Sequence, residues 1–267
     1  MISIIMAAYN VGNFIQQSIN SVINQSFADW ELLIIDDGST DHTKRNIKEF
    51  QDPRIKYFYQ ENQGVSAARN QGLRHMSGEY FCFLDADDYL PSGSIESRYR
   101  KLEQFPEIDF LDGKVKIFDR NFEKMLDQWE PSFQGEPLNQ LLNLSGSCFW
   151  GLTWMIRRKA NKIYHFNENL THGEDLLFYI DLALDGGTYD YTEEEVLHYR
   201  KGHPSAMKNL SGLENGYHLI YHSLKDNEKI PTRQLTVFKE KARDIVFKSY
   251  LGNYQFMNAF FSLLRKW

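Results

Sequence analysis

Hydrophobic positions follow two rhythms over the first ninety residues. Ile2 to Ala8, Glu31 to Ile35 and Glu79 to Leu84 are short apolar runs, the pattern of strands covered on both faces. Arg54 to Tyr59 is a further strand candidate. Between them the apolar residues change to helical spacing. Phe14, Ile15, Ile19, Val22 and Ile23 predict a helix over 14–27 with Asn13 as its N-cap. Ser39 or Thr40 would cap a second helix from about Asp41 to Phe50. A third runs from Val65 to Met76, after a turn at Gln63-Gly64 and before the stop Ser77-Gly78. Strands alternating with helices imply right-handed βαβ units, hence an α/β fold with a doubly wound, mostly parallel sheet flanked by helices.

The pattern loosens after Leu90. Pro91 opens a helix to about Phe105, and Ile108 to Phe118 reads as a strand or hairpin. Residues 121–147 hold Pro131, Gly135, Pro137 and Gly146 and read as a long, partly irregular segment. Cys148 to Arg158 is a further strand candidate. Gly173-Glu174-Asp175 begins a helix with Leu176, Leu177, Ile180 and Leu184 on one face, and Val196 to Arg200 is a short strand. From Leu213 onward the pattern is mostly helical. The expected organisation is a domain over 1–210, with a nucleotide-binding half at 1–90 and an acceptor half at 91–210, then a helical C-terminal extension over 211–267.

Composition narrows the classes. Phe occurs 19 times and Tyr 15 times in 267 residues, enough for a sizeable core. The net charge of -6 argues against a nucleic-acid partner, and a phosphate ligand would need local cations or a metal. Two cysteines do not make a disulfide framework, so a reducing, cytoplasmic compartment is expected. No leader and no run long enough to span a bilayer is recognised.

Acids gather where strands end. Asp36 and Asp37 follow the second strand; Asp85, Asp87 and Asp88 follow the fourth. Ligands bind outside the carboxyl ends of strands in open α/β sheets. Clustered carboxylates repel and call for a hard divalent cation, magnesium or manganese. The alternative is a polar turn with Asp88 capping the next helix. Glu174 and Asp175 form a third acidic pair.

The ordered set resembles the inverting glycosyltransferases of family 2, which have the GT-A fold. The residues that carry the resemblance are Ala8-Tyr9-Asn10, Asp36-Asp37-Gly38-Ser39-Thr40-Asp41, Gly64 to Gly72, Asp85-Ala86-Asp87-Asp88 and Gly173-Glu174-Asp175. The match is ordered to about residue 90, patchier to about 205 and absent beyond. It implies transfer of one sugar from a nucleotide-sugar donor, a UDP-sugar, to a glycan or lipid-linked acceptor, as in cell-surface polysaccharide synthesis.

The resemblance also implies roles. Asp87 would touch Mn2+ or Mg2+ directly, and Asp85 the ribose or a metal-bound water. Asp37 would accept from the base, Ala7 and Tyr9 would line its pocket, and Arg69 would meet base or diphosphate. Asp175 would be the catalytic base, with Glu174 orienting the acceptor or capping the helix. His203, or else His198, would be a third metal ligand, and Arg200 would clamp the diphosphate beside a Pro204-Ser205 closing loop. Ala7 stands where the family often has Pro or Thr. The Gln-x-x-Arg-Trp element of processive synthases is lacking.

Two other readings compete. A sugar nucleotidyltransferase needs a Gly-rich basic loop after the first strand, which Tyr9-Asn10-Val11-Gly12 is not. A non-catalytic sugar-nucleotide or glycan-binding module would bind without turnover. Phe256, Phe260, Phe261, Leu263, Leu264 and Trp267, with Arg265 and Lys266, fit either a helix packed on the domain or peripheral contact with the inner face of a membrane. Oligomeric state is open, a homo-oligomer included.

Overall fold

The period-two alternation of the strands divides the interior into two cores. A computed structural model describes residues 1–202 and 209–267. In it, β1 (Ile2–Ala8) turns Ile2, Ile4, Met6 and Ala8 to one core and Ile5 to the other. β2 (Trp30–Asp37) and β4 (Tyr80–Phe83) behave alike. Trp30, Leu32, Ile34, Tyr80 and Cys82 share the first core, while Leu33, Phe81 and Phe83 share the second. The first core is closed by α1 (Ile15–Ile23), α2 (Thr43–Ile47) and α4 (Ser94–Gln104). The second is closed by α3 (Val65–His75), α5 (Leu138–Leu142), α6 (Glu174–Leu184), α7 (Leu210–Leu224) and α8 (Thr232–Gly252). The result is helices on both faces of one sheet.

With β3 (Ile55–Gln60), β5 (Ile108–Phe118), β6 (Met125–Trp129) and β7 (Met155–Arg157), the sheet runs β3-β2-β1-β4-β7-β5-β6. β8 (Thr188–Arg200) lies parallel along the other side of β5. β1 to β4 pair in parallel, as expected, and β7 joins antiparallel to both β4 and β5.

Several boundaries differ from the sequence pattern. α1 starts at Ile15 without a side-chain cap from Asn13, because the Val11 carbonyl already accepts from Phe14 and Ile15. α2 covers only Thr43–Ile47. α4 begins at Ser94 and not Pro91, since Gly93 adopts φ +84° there. The irregular segment after Asn121 holds β6 and α5, and the strand expected at Val196 starts at Thr188. The helical pattern expected from Leu213 begins at Leu210, where the Asn209 side chain accepts from Gly212 N–H at 3.0 Å. α7 and α8 place Ile220, Leu224, Leu235 and Phe238 in the second core, continuous with the rest of the chain.

One buried carboxylate fastens the parallel half. Glu31 on β2 accepts from Ser3 on β1 (2.6 Å), Lys56 on β3 (2.7 Å) and the Ser77 N–H (2.7 Å). Burial opposes its charge, but these donors outweigh burial and lower its pKa to about 2. A carboxylate with a depressed folded pKa adds stability above its unfolded value near 4.5. That contribution, about 3 kcal/mol at most, is lost as pH falls from 4.5 towards 2. In urea melts between pH 7 and 3, Glu31→Gln is expected to be less stable than wild type at pH 7 and to lose less stability on acidification.

Candidate active site

The loops after β1 and β2 are tied by Asn10, whose φ of 52° aims its amide at the neighbouring turn. Its Oδ1 accepts from Thr40 N–H at 2.8 Å, and its own N–H donates to Ser39 Oγ at 3.0 Å. Asp36 holds that turn, accepting from Ser39 N–H (2.9 Å) and the Tyr57 hydroxyl (2.8 Å). Asp37 accepts from the N–H groups of Gln63 and Gly64, both at 2.9 Å, and from Gln60 Nε2 at 2.7 Å. It thereby anchors the start of α3, the helix that carries Arg69.

A cleft of about 730 Å³ opens at the carboxyl ends of β1 and β4. Ala7, Tyr9, Arg69, Asp85, Asp87, Glu174 and Asp175 all line it. Seven of the sequence-selected residues are thus brought together from four separate stretches. Arg69 is buried and central. It donates to Asp85 Oδ1 and to Glu174 Oε1, each at 2.9 Å. Burial disfavours its charge, yet Asp85, Glu174 and Asp175 outweigh burial and raise its pKa. Asp85 keeps 48% of its side chain exposed and Asp87 is half-buried, so both offer hard oxygen donors to the cleft. No group of three or more His, Cys, Asp or Glu side chains among the described residues could hold a metal by itself, so these two carboxylates would hold a divalent cation only together with substrate oxygens and water.

Asp37 and Arg200 do not line the cleft. The pleat of β8 explains Arg200. Leu197 and Tyr199 face the cleft, so His198 and Arg200 point to the opposite side. Arg200 donates from Nε to the Asp87 carbonyl (2.6 Å) and from Nη2 to Gln17 (2.7 Å), with its guanidinium 4.1 Å from the Phe122 ring. It holds the acidic loop from outside the cleft lining. His198 is likewise set apart, with Nε2 2.7 Å from Glu195 Oε2 and its ring stacked on Tyr89. His203, Pro204 and Ser205 lie outside the described residues.

Asp88 is not a helix cap. Its carboxylate accepts from Arg200 N–H at 2.8 Å, and its backbone carbonyl accepts from Ser18 Oγ at 2.6 Å. Burial first, then Asp87 and Asp85, push its pKa well above the ordinary carboxylate range. It locks the loop on which Asp85 and Asp87 stand.

Asp175 sits in the first turn of α6, where Oδ1 accepts from Leu176 N–H at 2.7 Å. Burial and the neighbouring Glu174 raise its pKa to about 7, against the opposing pull of Arg69. A carboxylate poised there can take a proton from a hydroxyl near neutral pH. The preceding segment is seated on α7. A Cβ at Gly216 would lie 2.3 Å from the His172 carbonyl oxygen, and one at Gly212 equally close to the His172 ring. Gly173, at φ +73°, packs on Ile220. These α7 residues recur every four positions, so one helix face forms the seat.

His172, Trp150 and Tyr199 also line the cleft. His172 and Tyr199 were not singled out from the sequence. Tyr199 could have been found from the alternation of β8 had that strand been read at its full length.

Residues 3–164 match the sequence profile of glycosyl transferase family 2, more than half of the chain, and the chain belongs to that family. The family and the fold expected from the sequence are borne out. It is 38% identical over 122 residues to WfgD of Escherichia coli, described as a UDP-Glc:alpha-D-GlcNAc-diphosphoundecaprenol beta-1,3-glucosyltransferase. That match covers 45% of this chain and 48% of WfgD, so it spans about half of that relative. A GalNAc(5)-diNAcBac-PP-undecaprenol beta-1,3-glucosyltransferase of Campylobacter jejuni is 27% identical, over 99% of this chain and 84% of its own length. S. aureus TarS 1-349, solved with UDP-GlcNAc, superposes with a TM-score of 0.70 at 19% identity, covering 98% of this chain and 72% of TarS. That likeness concerns the fold.

Two outcomes follow from the geometry. The kcat/KM of the free enzyme should rise with pH through an inflection near 7 as Asp175 ionises, and Asp175→Asn should abolish the inflection. Gly216→Ala should destabilise the fold by about 1–3 kcal/mol, read in thermal melts, and lower kcat by displacing the His172–Asp175 segment.

Proposed function

We propose that this family 2 glycosyltransferase is inverting and divalent-metal-dependent, and that it moves one sugar from a UDP-sugar to a lipid-linked saccharide acceptor. The observation that carries the reading is the convergence of Asp85, Asp87, Glu174 and Asp175 on one cleft. Acids supplied to one cavity by a strand end and by a helix start suit a displacement in which one group serves the leaving diphosphate and another the acceptor hydroxyl.

On the donor side, Tyr9 is about half exposed and offers a ring face to a base. Ala7 leaves room beside it. Asp37, buried outside the cleft lining, would serve the base only indirectly, by anchoring the turn that starts α3. Asp85 and Asp87 would hold Mn2+ or Mg2+, and the ion would supply positive charge for the leaving diphosphate. Arg69 is the protein's own cation on that side, fixed between Asp85 and Glu174.

On the acceptor side, Asp175 takes the proton of the attacking hydroxyl as that oxygen bonds to the anomeric carbon and the bond to the diphosphate breaks. Its pKa near 7 suits a base operating at neutral pH. Trp150 and Tyr199, with ring centroids 4.8 Å apart, provide aromatic faces against which a saccharide can rest. The acceptor class is supported by the polyprenol-linked substrates named for the E. coli and C. jejuni relatives.

The test is UDP release from UDP-glucose with manganese and a polyprenol diphosphate-linked saccharide. Asp175→Asn should reduce kcat about 10²–10⁴-fold while donor binding persists. Asp87→Ala should lose turnover together with its response to added manganese. Wild-type activity unaffected by both substitutions would refute the site.

A further inference from the structure

The last helix is built inside out. α9 (Phe256–Leu264) packs on α8 through small residues: Ala259 and Ser262 are its buried positions, and Ala259 shares a small core with Leu210, Val246 and Tyr250. At about 100° per residue, Phe256, Phe260, Leu264, Met257 and Phe261 span an arc of roughly 140° centred opposite that buried side. All five are exposed, Phe256 by 64% and Leu264 by 63%. A helix held only by its own domain would turn its large apolar residues inward. Contiguous exposed apolar surface of this kind marks an interaction site.

The charge around it identifies the occupant. The whole chain carries 36 acidic and 30 basic side chains, whereas Lys239 to Trp267 contains six basic and two acidic ones. Lys248 pairs with Asp244 and Arg265 with Glu214, and Arg265 and Lys266 directly follow the helix. An apolar face with adjoining cations, on an otherwise acidic protein, complements an anionic lipid surface. A nine-residue helix is about 14 Å long, well short of the ~30 Å hydrocarbon thickness. No helix among the described residues is long and apolar enough to cross a membrane.

We infer that α9 is an interfacial membrane-docking helix, which lays Phe256, Met257, Phe260, Phe261 and Leu264 into an anionic lipid surface with the cations of α8 and the C-terminal segment beside the headgroups. The inference stands on α9 and its charge, independent of the reaction. If the acceptor is lipid-linked, docking would also keep the cleft near it.

Co-sedimentation with vesicles tests it. Vesicles of phosphatidylcholine alone would be compared with vesicles containing about one-third phosphatidylglycerol. The chain is expected to bind the anionic vesicles at least about tenfold more tightly, and less so at raised salt. Phe260→Asp/Phe261→Asp should lose that binding while retaining the wild-type melting temperature and soluble UDP release, because both side chains are exposed. Failure of wild type to bind anionic vesicles overturns the inference, as does equal binding by the double variant. A wild-type dimer in light scattering, dispersed by the same variant and without vesicle binding, would assign the face to a second copy and overturn it too. UDP release measured alongside separates these outcomes from failure of the proposed reaction.

Discussion

The double ion pair of Arg69 is the joint on which the site depends. Its guanidinium leaves α3, enters a buried position and meets Asp85 from the end of β4 and Glu174 from the start of α6. A buried charge without partners is costly, and removing either carboxylate would leave part of that cost uncompensated. The pairing therefore constrains two loops far apart in sequence to one separation. It brings Asp85 and Asp87 into the same cleft as Glu174 and Asp175.

Around that joint the protein spends other polar groups on holding backbone. Asp37 fixes the first turn of α3, Asp36 its own turn, and Asp88 the strand that ends in Arg200. Arg200 returns a bond to the Asp87 carbonyl, so loop and strand hold each other. Of five aspartates at two strand ends, three are thus largely consumed by positioning, and Asp85 and Asp87 are left to face the cleft. The division follows depth: Asp36, Asp37 and Asp88 are buried and accept from N–H donors, whereas Asp85 at the rim keeps nearly half of its side chain exposed.

The helical C-terminal region is part of the same machinery. The glycine face of α7 lets the His172–Gly173 backbone approach to contact distance, immediately before α6 begins at Glu174. α8 and α9 then continue outward from α7, ending in the apolar face.

Much of the parallel half was legible in the residues alone. Period-two apolar runs closed by acids and glycines define β1, β2 and β4 and the turns after them, because local pattern and burial agree there. The acids at those strand ends could be named as one site because strand direction in a βαβ fold places them on one edge. The partner of each acid could not be read. Glu31 was passed over although it fastens three strands and a turn; its donors come from Ser3, Lys56 and Ser77, up to 46 residues away. Asp88 looked like a cap because its true donor lies 112 residues ahead. Arg200 and His198 were assigned to the cleft because the extent of β8, and so its facing, is set by pairing with β5 and not by its own mixed composition. α9 shows the same limit, since an apolar helix reads alike whether its large residues are covered or bare. Sequence determines which stretches can form strands and helices and which chemistry they carry. Only tertiary contact decides which side of each element meets the ligand, because that depends on neighbours supplied by distant parts of the chain.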